Sequence, residues 1–298
     1  MFVKYPHISR IGTSEVEGIL DGSCYVFPKL DGTNGSIFSI DGVICAGSRN
    51  RQLSINDDNA GFYNHVFSSP LRDNYTQFLH DYPFLALYGE WLVPHTLKNY
   101  VPDAWRKFYI FDVYDHSTGR FVHYLTYSTL LRTYNIPFIE AVAINNPSIE
   151  ELRWLMENNT YLVSTGIGEG IVIKNYDFVN RYGRLAMAKM VATEFKHEKI
   201  VRSSSIDASA DATEMTIVQR FCTSTFIEKT YHKILNSFGE AGWDTKKGIP
   251  RLLETVWHDF LTEEIYAIWK SNKDSTIRFS VLKKYVDNRV KETLTHLF

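Results

Sequence analysis

Little in this 298-residue sequence points to export or to covalent cross-linking. The three cysteines, Cys24, Cys45 and Cys222, lie far apart with no C-x-x-C spacing. That argues against disulfides and a zinc cluster and fits a reduced, intracellular compartment. There is no run of about 18 apolar residues, and the amino terminus lacks a basic-then-apolar signal pattern, so a soluble, cytoplasmic protein without membrane contact is expected. Charge of either sign is hardly in excess. A formal net charge of -2 argues against a protein that coats nucleic acid nonspecifically, yet leaves room for a local basic patch. No G-x-x-x-x-G-K-S/T phosphate loop occurs. The glycine-rich stretch Thr165 to Gly170 continues into Ile171-Val172-Ile173, a strand, where a dinucleotide fingerprint would open a helix.

What is there is 44% hydrophobic and 14% aromatic, enough for one large packed domain and a smaller one. The chain centres on Phe27 to Phe38, F-P-K-L-D-G-T-N-G-S-I-F, which sets Lys29 in a tight turn between two apolar, strand-like runs. Asp31, Gly32, Asn34 and Gly35 read as turn residues that tolerate positive φ. From Gly35 to Ser48 the pattern is strand, Asp41-Gly42 turn, strand. Ser69-Pro70 predicts a helix start running to Pro83. Phe84 to Trp91 and Phe108 to Tyr114 read as strands, and Phe121 to Leu125 as another after a turn at Ser117-Thr118-Gly119. Ser148 to Glu151 is a capping box opening a short helix. Beyond a small, polar stretch at 204–213 the periodicity becomes helical, first along Ile217 to Phe238 with a stop at Gly239. Further helices are predicted over Ile249 to Leu261, Glu263 to Lys270 and Thr276 to Leu297.

Between 174 and 202 lie Lys174, Arg181, Arg184, Lys189, Lys196, Lys199 and Arg202 against Asp177, Glu194 and Glu198. Such a run is either a solvated charged face or a patch for a polyanion. A lysine can attack carbonyl carbon or phosphorus only as the neutral amine, so a nucleophilic Lys29 needs burial or neighbouring positive charge.

The segment K-L-D-G-T-N resembles the K-x-D-G-x-N nucleophile motif of covalent nucleotidyltransferases. Four more blocks follow in order: Ser48-Arg49-Asn50-Arg51, Tyr88-Gly89-Glu90-Trp91, Phe108 to Val113, and Glu169-Gly170-Ile171-Val172-Ile173-Lys174. Together with Met1 to Tyr5 they are most similar to the bacteriophage RNA ligase 2 family. That resemblance implies an α+β protein: an antiparallel-sheet, ATP-grasp-like adenylyltransferase domain over 1–203, a linker at 204–213 and a small all-α domain over 214–298. It implies an ATP-dependent RNA ligase that uses ATP as substrate and Mg²⁺ or Mn²⁺ as cofactor. The expected partner is RNA with 3′-OH and 5′-phosphate ends, nicked or bridged in a duplex, and the protein is expected to act as a monomer.

Residue by residue, the resemblance implies Lys29 as nucleophile, Glu90 on a ribose hydroxyl, Phe108 stacked on adenine, and Glu169 organising the metal. Lys174 would contact phosphate, Arg49 (or Arg51) the RNA 5′-phosphate or the adenylate, and Asn34 the attacking 3′ end. At Asp31 the family has histidine or aspartate, and that substitution is expected to be without effect. The last block departs from the family's K-x-K, reading Ala186-Met187-Ala188-Lys189-Met190-Val191. Lys189 stands for either lysine, with Met187 or Val191 in place of its mate and Arg184 or Lys196 as candidate helpers. Capping enzymes and most DNA ligases append a five-stranded OB fold, whereas the pattern after 214 is helical.

Overall fold

The chain divides into two compact units, Met1–Ala192 and Thr193–Phe298. A computed structural model describes residues 2–94, 97–192, 212–238 and 242–298. The expected linker therefore lies outside the described residues except for its end, where Ala212 opens a helix. The stop at Gly239 and the basic residues Lys196, Lys199 and Arg202 also lie outside them.

The first unit holds two five-stranded sheets. One is built from β1 (Ser9–Arg10), β2 (Ser23–Lys29), β8 (Val142–Asn145), β9 (Gly170–Lys174) and β10 (Ala188–Val191), in the order β1-β10-β9-β2-β8. The other contains β3 (Thr33–Ile40), β4 (Val43–Ser48), β5 (Leu85–Trp91), β6 (Phe108–Asp115) and β7 (Arg120–Phe121), in the order β4-β3-β5-β6-β7. Every strand pair is antiparallel except β1 with β10. Apolar residues of both sheets meet in one core, with Tyr25, Phe27 and Val172 from the first and Ile37, Leu87 and Ile110 from the second. The Asp41-Gly42 hairpin forms as the sequence predicts, both residues taking positive φ (51° and 78°).

The segment after Lys29 differs from its sequence reading. β2 and β3 belong to different sheets, so residues 30–32 cross from one sheet to the other. Among Asp31, Gly32, Asn34 and Gly35 none has positive φ, and Asn34 and Gly35 lie within β3. Their small size serves close approach instead. A Cβ on Gly32 would sit 2.5 Å from the Trp91 carbonyl oxygen, and one on Gly35 2.7 Å from the Phe62 ring.

Helices α1 (Phe62–Ser68), α2 (Arg72–Asp81), α3 (Tyr124–Thr133) and α4 (Ile149–Glu157) flank the sheets. The α4 capping box is present as read. Ser69 ends α1, and α2 begins two residues after Pro70. The strand expected over Phe121 to Leu125 is cut to two residues. Tyr124, Tyr127, Ser128 and Leu131 form a buried helical face, and that burial overrides the β-propensity of the aromatics.

Among its described residues the second unit has α-helices and no strand: α5 (Ala212–Phe221), α6 (Ser224–Ser237), α7 (Thr245–Ser271) and α8 (Phe279–Thr293). The predicted long stripe breaks at Thr223, whose hydroxyl caps α6. The two helices predicted over 249–270 are one, with Pro250 near its start. This unit has its own core around Ile217, Ile227, Val256, Phe260 and Val286.

Candidate active site

Lys29 is the last residue of β2. Past Val26 only β9 flanks that strand, which lets Pro28, lacking an N–H, sit in it. Across the ladder Lys29 faces Gly170, and its Nζ donates to Glu169 Oε2 at 2.5 Å. Both side chains are largely shielded, with 17% and 13% of their surface exposed. Glu169 is aimed by its neighbours. A Cβ on Gly170 would stand 2.1 Å from the Met190 carbonyl oxygen, so only glycine lets β9 lie this close to β10. Asn159, just past α4, donates its amide to the Gly170 carbonyl (2.7 Å) and accepts through its own backbone carbonyl from Gly168 N–H (2.7 Å). Nothing in the local sequence singles out Asn159, because its partners lie beyond a loop.

The second sheet brings Glu90 and Asn34 to the same end. They are opposite one another in the β3–β5 ladder, and Glu90 Oε1 accepts from Gly32 N–H at 2.9 Å. Asn34 Oδ1 is buried with no donor among the described residues. Asp31, where a change between histidine and aspartate is expected to be without effect, is 1% exposed. Its Oδ2 accepts from Leu97 N–H (2.7 Å), while its own N–H donates to the Tyr100 hydroxyl (2.9 Å), pinning the segment after β5 beneath the turn.

Phe108 is 3% exposed, lies 4.7 Å from Phe62 between ring centroids, and covers Gly35 and Gly89. Arg49 is exposed after β4. Its rival Arg51 is engaged in a two-pronged ion pair with Asp57. Lys189 is half-buried on β10, paired with Val172 of β9. Since paired strand residues share a face, Lys189 projects from the Lys29 side of the sheet. Val191 falls in the row of Gly170 and Lys29, whereas the Met187 sulfur receives the Tyr5 hydroxyl at 3.0 Å in an apolar cluster. Of the candidate helpers, Arg184 is exposed and Lys196 lies outside the described residues.

Lys174 is not brought to Lys29. It pairs with Tyr25, four residues back along β2, about 13 Å at strand rise. It is 2% exposed, and its Nζ donates to Asp112 Oδ2 (2.8 Å) and the Phe111 carbonyl (2.7 Å) while lying 4.3 Å from the centre of the Phe27 ring. Tyr5 also donates to Asp112, at 2.7 Å. Burial pulls Lys174 down and pushes Asp112 up, and the ion pair opposes both changes. Within the described part of the basic run, Lys174 lies in the core and Arg181 is tied to Glu17.

The RNA ligase family matches residues 22–191, more than half of the chain and every motif described above except the amino-terminal one. The chain belongs to the RNA ligase family. No curated protein matches the sequence. Among solved structures it is similar to the RNA ligase of Naegleria gruberi. A mutant of that protein with ATP and Mn gives a TM-score of 0.52 at 18% identity, and another with AMP and Mn gives 0.50 at 18%. In both cases the likeness covers 66% of this chain and 58% of that one, so the chain matches under two thirds of its neighbours' length. At that identity the likeness shows a common fold. A family of RNA ligases, a lysine held by a carboxylate at a strand end, and a carboxylate and an amide opposite one another on a second sheet are consistent with one another. Among the described residues no helix is long and apolar enough to cross a membrane.

Proposed function

We propose that this member of the family is an ATP-dependent RNA ligase with Lys29 as its nucleophile. The observation that carries the proposal is the Lys29–Glu169 contact, made between residues 140 apart in sequence and supported on both sides by glycine and asparagine contacts that serve it. Glu169 Oε2 is in reach of the proton that Nζ must lose. The freed lone pair attacks the α-phosphorus of ATP, the bond to the bridging oxygen breaks, and pyrophosphate leaves with that electron pair. An RNA 5′-phosphate oxygen then displaces the lysine, and a 3′-hydroxyl displaces AMP to form the phosphodiester. In this reading Glu90 accepts from a ribose hydroxyl, and the buried Asn34 Oδ1 suits the hydroxyl of an RNA end. On the same reading one face of the Phe108 ring meets adenine while Phe62 packs against the ring at 4.7 Å between centroids. Arg49 is the exposed candidate for an RNA phosphate.

Among the described residues no three His, Cys, Asp or Glu side chains converge. One carboxylate, Glu169, together with substrate phosphates and water suits Mg²⁺ or Mn²⁺, which bind with few protein ligands. Such an ion, when bound, neutralises charge on the phosphates. Lys189, on the Lys29 face, adds a fixed cation. The substrate is RNA with juxtaposed 3′-OH and 5′-phosphate ends in a nicked or bridged duplex, sealed in the cytoplasm by a monomer. The helical second unit supports end joining over capping.

The test is incubation with α-labelled ATP and a divalent metal, then denaturing electrophoresis. Metal-dependent label on the wild type and none on Lys29→Ala is expected. Val191, where a lysine would share the row of Lys29, favours a second reading, an RNA-end-binding protein without catalysis. A folded wild type that takes no label from ATP or GTP supports that reading.

A further inference from the structure

We infer that Arg106, two residues before β6, is an RNA-binding residue that takes a backbone phosphate of the strand ending in the 3′-hydroxyl. The inference rests on the proposed function, in which Asn34 meets that hydroxyl. β5 and β6 pair as far as Trp91 and Phe108. Beyond that pair Arg106 N–H donates to the Leu92 carbonyl (2.8 Å) and Leu92 N–H to that of Lys107 (3.1 Å). Arg106 therefore stands at the end of the second sheet that also carries Asn34, Glu90 and Phe108. Its φ of 56° is one that a residue with a side chain seldom adopts.

Beside it runs a turn of three consecutive residues with positive φ, Asn59 (56°), Ala60 (58°) and Gly61 (90°). Side-chain contacts fix this turn to the sheet. Trp91 Nε1 donates to the Ala60 carbonyl at 3.0 Å. The Asn59 amide bridges Thr33 and Asn34, accepting from the Thr33 hydroxyl (3.2 Å) and donating to the Asn34 carbonyl (3.4 Å). At the other end of the turn, a Cβ built on Gly61 would stand 3.4 Å from Arg106 Nη1. The turn thus touches Asn34 through one end and Arg106 through the other, with two residues of chain, about 7 Å at most, between them.

Nearby charges are already committed. Lys107 is taken by Asp103 (2.7 Å), Asp57 by Arg51 (2.6 Å) and Asp58 by Gly61 N–H (2.5 Å). Among the described residues no carboxylate or carbonyl engages the Arg106 side chain, which is exposed. A free guanidinium offers paired N–H donors to two phosphate oxygens at once. A nucleic-acid strand brings one negative charge per nucleotide. With the terminal hydroxyl at Asn34, the phosphates nearest that end fall within reach of Arg106.

The test compares the full chain as wild type, Arg106→Gln and Arg106→Lys. Affinity for a nicked RNA duplex is read by fluorescence anisotropy at several salt concentrations, which needs no catalysis, and lysyl-adenylate formation from ATP is followed in parallel. Arg106→Gln is expected to weaken duplex binding about tenfold and to lower the slope of log affinity against log salt by about one. Arg106→Lys should fall between in affinity. Adenylylation uses no RNA and should keep its ATP dependence. Uncharged methylphosphonate linkages nearest the 3′-hydroxyl should weaken the wild type and erase its advantage over Arg106→Gln, while the same linkages on the 5′-phosphate strand should leave that advantage. Equal affinity of wild type and folded Arg106→Gln overturns the inference. So does an advantage that neutral linkages near the 3′-hydroxyl fail to erase. Lost binding that comes with a lowered melting temperature and an equal loss of adenylylation marks a merely structural side chain and also overturns it. A wild type that forms no lysyl-adenylate fails at the earlier, functional reading, and the duplex affinities still decide the role of Arg106.

Discussion

Lys174 and Lys189 come from adjacent strands and read alike in sequence, but register separates their surroundings. Lys189 shares a face and an end with Lys29, while Lys174 is fixed four residues deeper against Asp112 and the Phe27 ring. Removing one partner of a buried ion pair leaves the other uncompensated. Lys174→Met is therefore expected to cost about 3–5 kcal/mol in urea unfolding. The double variant Lys174→Met/Asp112→Leu should recover much of it, since both charges are then gone. If instead Lys174→Met keeps full stability and loses only ATP binding, the residue acts on phosphate. Asp31→Ala should cost about 1–3 kcal/mol because the Leu97 N–H loses its acceptor. The sequence made Lys29, Glu90 and Glu169 legible, because their motifs lie on strands whose apolar pattern is plain. It could not make Asp31 or Asn159 legible, since each depends on a partner far along the chain, 66 residues away for Asp31 and 11 for Asn159, across a loop or ladder.

Among the elements, β9 lies tightly against β10 at Gly170. Gly170→Ala would push a methyl group into the Met190 carbonyl, so β9 and β10 must separate. The expected result is a loss of about 1–3 kcal/mol together with a large drop in lysyl-adenylate formation, because Glu169 moves with the strand. In the second unit, α8 has no side-chain cap of its own. Glu214, in the first turn of α5, supplies one by accepting from Arg278 N–H at 2.8 Å and from its guanidinium at 3.1 Å. Those bonds to Arg278 hold the Glu214 carboxyl below its usual value. A folded-state value below the unfolded one adds stability above about pH 4.5 that is lost as pH falls through the folded value. Wild type and Glu214→Gln should differ in melting temperature at pH 7 and converge in acid. The helical pattern of this unit was readable from apolar spacing, but its breaks were not. The join of two predicted helices into α7 and the split at Thr223 follow from which residues the core buries.

At the scale of the whole molecule, each unit has a core of its own. Independent cores allow independent unfolding. Two denaturation transitions are expected, one moved by Asp31→Ala and the other by Glu214→Gln; a single transition shifted equally by both would contradict this. The two sheets of the first unit also differ in where along the chain their strands come from. One draws β3 to β7 from an unbroken stretch, residues 33–121, while the sheet bearing Lys29 takes β1 and β2 from the start and β8 to β10 from the end. During synthesis at about 5–20 residues per second, the lysine leaves the ribosome on the order of ten seconds before its carboxylate partner 140 residues later. A nascent chain can close the contiguous sheet in that interval, but it cannot assemble the surroundings of Lys29. A truncated translation product ending before β9 would thus carry the proposed nucleophile without the carboxylate it pairs with, and is expected neither to take up AMP nor to modify RNA.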